Sequence, residues 1–164
     1  FQFGEIQRGF TTVLWALTYK PLDAACGIRY ARPSMMALAN LLSHPKLTDD
    51  TMSGGYSKRE IRRCAKDLGR VLALARLSKE ATEDWADEWE EALKNYFPDR
   101  WKTLAQKAGK GIQELLSNSE VFEEAHFTCI VSLLSSDPPT IDELKATGDR
   151  LVLDAIEPLA AKAI

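Results

Sequence analysis

Ser57-Lys58-Arg59-Glu60-Ile61-Arg62-Arg63-Cys64-Ala65-Lys66-Asp67-Leu68 opens the stretch whose reading decides the fold, and Gly69 to Leu77 completes it. Ser57 and Glu60 have the spacing of a capping box, in which the serine oxygen accepts from an orphan helix amide and the glutamate reaches back. Ile61, Cys64, Ala65, Leu68, Val71, Leu72 and Ala75 recur with the period of one buried helix face. The spacing therefore predicts an amphipathic helix over residues 57–77.

The same period continues downstream. Trp85, Trp89, Ala92, Leu93 and Tyr96 form the next apolar stripe. Pro98 suits the first turn of a third helix that carries Trp101, Leu104, Ala108, Ile112 and Leu115. Asn118 is placed to cap a fourth, which ends at Asp137-Pro138-Pro139 because proline donates no backbone hydrogen bond. Thr140 and Glu143 make a second capping box, and Pro158 should kink or stop the helix it opens. Upstream, residues 5–19 and 34–43 read as helices. Residues 27–31 are the one short strand expected, with no partner strand evident. The fold class expected is all-α: one domain over 1–164, an irregular lead-in at 1–33 followed by a bundle of six or seven helices. Phe1 at the start suggests a piece of a longer protein.

At 164 residues, 45% apolar and 27% charged, the chain can bury a core without disulfides or a structural metal. No apolar run approaches the ~20 residues of a membrane span, so no membrane role is expected. Cys26, Cys64 and Cys129 are far apart, and His44 and His126 are the only histidines. That pattern lacks zinc-site spacing and reads as three buried thiols in a reducing cytoplasm. No phosphate-binding glycine loop, nucleophile elbow or zinc-protease helix occurs, so neither a cofactor nor a free-standing enzyme is expected.

Charge carries the functional signal. Residues 1–79 hold 13 Lys and Arg against 6 Asp and Glu, whereas residues 80–164 hold 8 against 18, so the halves are +7 and −10. On the 57–77 helix, Lys58, Arg59, Arg62, Arg63, Lys66 and Arg70 share an arc of about 140° opposite the apolar stripe. Such a face can follow phosphates or grip acidic side chains, so an acidic protein or RNA is the expected partner. The alternative is a solvated face. The next helix carries the opposing stripe Glu80, Glu83, Asp84, Asp87, Glu88, Glu90 and Glu91, which would repel a nucleic acid lying across both. The paired faces also leave self-association open. Helical spacing makes the tryptophans core residues rather than base-stacking platforms, and His126 lacks a second ligand at helical spacing.

One region carries a family resemblance. Ile28-Arg29-Tyr30-Ala31-Arg32-Pro33, the small helix from Met35 to Leu42, the Lys66-Asp67-Leu68 helix and the Trp-rich helices follow in order across residues 28–116. This order resembles the region after the catalytic domain in nucleotidyltransferase-fold proteins of the broad bacterial class that includes abortive-infection toxins. The resemblance implies a last sheet strand leading into a helical C-terminal bundle, with Lys66 and Asp67 packed against a catalytic half. Asn40 stands where that family usually has lysine, and the Gly-Ser with Asp-x-Asp that holds Mg²⁺ and nucleotide is absent from the chain. The function expected is thus a non-catalytic helical accessory domain that positions substrate or partner through the basic face. The alternative is an interaction module or adaptor with opposed basic and acidic faces.

Overall fold

The computed structural model describes residues 15–53, 60–78 and 81–164. The chain is mostly helical, with two small two-stranded hairpins. In the first hairpin β1 (Leu22–Asp23) pairs antiparallel with β2 (Arg29–Tyr30), Leu22 opposite Tyr30. The turn between them closes with the Ala24 N–H donating to the Ile28 carbonyl at 2.8 Å, and Gly27 there takes φ 79°, the left-handed region open to glycine. The strand expected at 27–31 therefore exists, but it finds its partner seven residues upstream instead of lacking one.

Helix α1 (Pro33–Ser43) follows, with proline in its first turn. A second hairpin, β3 (Thr51–Ser53) with β4 (Glu60–Arg62), precedes α2 (Arg63–Leu77). The helix expected from residue 57 starts later. Glu60, Ile61 and Arg62 are extended, so Glu60 is no third residue of a helix, and the helix begins at Arg63. Ser57, Lys58 and Arg59 lie outside the described residues. Ile61 satisfies a strand as well as a helix, since it is buried between exposed Glu60 and half-buried Arg62. Cross-strand pairing and the capture of Arg62 by α6 decide between the two.

A 3₁₀ turn (Thr82–Asp84) leads into α3 (Trp85–Tyr96). Residues 98–116, expected as one helix, form two: α4 (Trp101–Ala108) and α5 (Lys110–Ser117). The break falls at Gly109, whose added Cβ would collide with the Ile156 side chain. Asn118 caps α6 (Ser119–Ile130) by accepting from the Val121 N–H at 3.1 Å. The Thr140 capping box is formed: its hydroxyl accepts from the Glu143 N–H at 3.2 Å, and the Glu143 carboxylate accepts from the Thr140 N–H at 2.7 Å. It opens α7 (Ile141–Leu151), which runs through a π-helical turn (Val152–Ile156) into α8 (Glu157–Lys162). Pro158 neither stops nor ends this rod, because the wider π turn just before it accommodates a residue that would otherwise crowd the carbonyl four residues back.

Helix α2 is central and packs against α1, α5, α6 and α7, while α3, α4 and α8 form a second group joined to it through α1. Trp89 and Leu68 are both fully buried. Trp89 lies against α1, its indole N–H donating to the Ser34 carbonyl at 2.9 Å. Gly69 brings α2 close to α6, since a Cβ there would lie 2.9 Å from the Ala125 carbonyl oxygen. Among the described residues, no helix is long and apolar enough to cross a membrane.

Candidate interaction surface

Arg62 is the most constrained of the described cations of the basic arc, Arg62, Arg63, Lys66 and Arg70. As the extended residue before α2, it points its guanidinium at α6, where Nη1 lies 2.6 Å from Glu124 Oε1 and Nη2 lies 2.9 Å from Glu120 Oε1. Its backbone N–H donates to the other Glu124 oxygen at 2.9 Å. Asp49 Oδ1 is 3.6 Å from its Nε. The Arg62 side chain is 21% exposed and that of Glu124 13%. The Glu120 hydrogen bond and the surrounding carboxylates hold the guanidinium above its usual range. Arg62 thus ties β4 and α2 to α6.

The helical part of the basic arc is Arg63, Lys66 and Arg70, and these three do share the outer face of α2. Arg63 is exposed and has no ion-pair partner among the described residues. Lys66 and Arg70 both approach Asp67 Oδ1, at 3.4 and 3.2 Å. Asp67 Oδ2 meets His44 Nε2 at 2.9 Å from the C-terminal end of α1. Burial acts to raise the Asp67 carboxyl. The hydrogen bond to His44 and the charges of Lys66, His44 and Arg70 outweigh it and hold the group below the ordinary carboxylate range. Asp67, which the resemblance would place against a catalytic half, is 15% exposed and engaged inside the chain.

His44 is the residue sequence reasoning missed on this surface. Its position is set by Gly111: a Cβ there would collide with the His44 carbonyl oxygen, so only glycine lets the loop after α1 seat against α5. The Leu47 N–H then donates to Glu114 of α5 at 2.8 Å. Lys46 and Lys110, next to these contacts in sequence, are both exposed and have no ion-pair partner among the described residues. Nothing in the local sequence pattern announced this approach, because it rests on a tertiary contact between residues 44 and 111.

The acidic stripe is largely occupied. Lys20 meets Glu91 at 2.8 Å, Arg32 meets Glu88 at 3.0 Å, and Lys162 bridges Asp87 and Glu90. Glu88 also accepts from the buried Ser34 hydroxyl at the start of α1. Two of the pairs on this stripe, and those of Arg62 with Glu120 and Glu124, join the basic half of the chain to the acidic half.

Other singled-out residues have structural partners. His126 Nε2 contacts the Pro139 carbonyl at 2.8 Å, tying α6 to the proline turn. Trp85 and Trp89 are fully buried, their rings 5.6 Å apart. Cys64 and Cys129 are buried, but Cys26 is exposed, so only two of the three thiols are core residues. Burial pushes the Cys129 thiol up to about 12. Among the described residues, no three His, Cys, Asp or Glu side chains converge as a metal site. Comparison with family models, characterised proteins and solved structures found no match for this chain.

Proposed function

We propose that this chain is a non-catalytic helical interaction domain that docks an acidic protein segment on the outer face of α2, through Arg63, Lys66 and Arg70 with His44 alongside. The observation that carries the reading is the charge imbalance on that face. Three permanent cations stand against the single carboxylate of Asp67, and Arg63 has no partner among the described residues. Arg63 and Lys66 also sit in the first turn of α2, where the positive end of the helix dipole disfavours cations and a bound anion relieves them. Arg63 and Arg70 are seven residues apart, about 10 Å along the helix. That spacing suits two or three discrete carboxylates. The Asp67 carboxylate in the middle of the face weighs against a continuous phosphate backbone. The resemblance of residues 28–116 to the helical region of nucleotidyltransferase-fold proteins names one companion of this kind, a catalytic domain presenting an acidic docking face.

Fluorescence anisotropy with a labelled glutamate-rich peptide tests the reading, with a single-stranded RNA of equal charge as the comparison. The expected result is saturable peptide binding at low salt that weakens as ionic strength rises, and loses roughly tenfold in the Arg63→Gln, Arg70→Gln double variant. Tighter binding of the RNA, with a steep salt slope, would transfer the face to nucleic acid. No binding of either at low salt would overturn the reading.

A further inference from the structure

The opposite end of α2 bears a second feature, independent of the basic face. A cleft of about 430 Å³ opens between the last turn of α2, the 3₁₀ turn and α7. Arg76 from α2 and Arg150 from α7 line it, together with the hydroxyl-bearing Ser78, Thr82 and Thr147.

Arg150 is oriented from behind. Its Nε donates to Asp154 Oδ2 at 2.9 Å, and the same oxygen accepts from the Thr82 hydroxyl at 2.7 Å. Asp154 belongs to the π-helical turn, whose extra residue re-aims side chains and which recurs at functional positions. Its own side chain is only 18% exposed. Burial acts to raise the Asp154 carboxyl, but the Thr82 and Arg150 hydrogen bonds outweigh it and keep the group an anion. With Nε so occupied, Arg150 makes no hydrogen bond through its Nη groups among the described residues. Glu83 Oε1 makes a looser ion pair with Nη2 at 3.7 Å, one that an incoming phosphoryl group would replace. Arg76 is exposed and has no hydrogen-bond or ion-pair partner among the described residues.

We infer that this cleft binds a small phosphate-bearing ligand, its phosphoryl group held between the guanidinium groups of Arg76 and Arg150. Planar guanidinium forks match phosphate oxygens two at a time, which a lysine ammonium does not. The cleft is of the size that encloses small organic molecules and exceeds what a bare phosphate fills. Arg76 also borders a neighbouring hollow of about 300 Å³ lined by Leu77, Leu134, Ser136 and Asp137, where the exposed Leu77 offers apolar surface to the organic part of the ligand.

Isothermal titration of the whole chain with phenyl phosphate, at constant ionic strength, is the test. The expected result is saturable one-to-one binding, displaced by inorganic phosphate. Arg76→Gln and Arg150→Gln should each weaken it about tenfold or more, the loss of a charge-assisted hydrogen bond. The Arg63→Gln, Arg70→Gln variant should bind as the parent does, which separates this site from the α2 face. Both arginines are exposed, so a far-ultraviolet spectrum matching the parent confirms that the variants fold. Absence of saturable binding, or binding lost in the α2-face variant and kept in the Arg76 and Arg150 variants, would overturn the proposal.

Discussion

Asp67 collects three cationic or potentially cationic neighbours on two oxygens: His44 on one, Lys66 and Arg70 on the other. Its carboxyl is held below the ordinary value, so the folded state binds that proton less readily than the unfolded chain. The stabilisation is therefore present above the unfolded value of about 3.9 and is lost as the pH falls through the lower folded value. Asp67→Asn should lower stability at pH 7 by about 1–3 kcal/mol, the cost of removing a charged partner from a half-buried hydrogen-bonded group. The difference from the parent should shrink as the pH drops below about 4. Chemical denaturation at pH 7 and at acid pH measures both. A difference that is constant with pH would show that Asp67 acts through packing rather than charge.

Among the elements, those whose signals are local were legible in the sequence and those set by distant contacts were not. Thr140 and Glu143 lie three residues apart, and the capping box they promise is formed. Asn118 likewise caps α6. Thr140→Ala should cost about 1 kcal/mol, because an orphan amide at the start of α7 loses its acceptor; thermal unfolding of the single variant measures it. An unchanged midpoint would mean that packing of Leu144 and Leu151, not the cap, fixes the helix start. Ser57 and Glu60 show the same motif without the same outcome. Ile61 fits both periods, and Glu60–Arg62 become a strand because Thr51–Ser53 pair with them and Glu124 takes both the Arg62 amide and its guanidinium. The broken helix at Gly109 has the same origin, a close approach by Ile156 from the far end of the chain. Of the basic face, the helical members Arg63, Lys66 and Arg70 were readable from the wheel. His44 was not, since its place beside Asp67 depends on the collision-free surface of Gly111.

At the scale of the whole molecule, the contrast between a +7 half and a −10 half is partly spent inside the fold. Lys20–Glu91, Arg32–Glu88 and Arg62 with Glu120 and Glu124 each join one half to the other. The exposed pairs contribute little to stability and mainly cancel charge. Arg62 differs, because its removal strands the half-buried Glu124 carboxylate. On the outer face of α2, Lys66 and Arg70 share Asp67, and Arg63 has no ion-pair partner among the described residues. Adjacent residues thus divide the labour: Arg62 holds β4 and α2 to α6, and Arg63 is the residue proposed to meet the partner. Parallel measurement of unfolding midpoint and glutamate-peptide affinity in Arg62→Gln and Arg63→Gln tests it most directly. Arg62→Gln is expected to lose about 2–3 kcal/mol of stability, while Arg63→Gln should unfold like the parent and bind several-fold more weakly. Equal losses of affinity in both variants, with Arg62→Gln as stable as the parent, would contradict it.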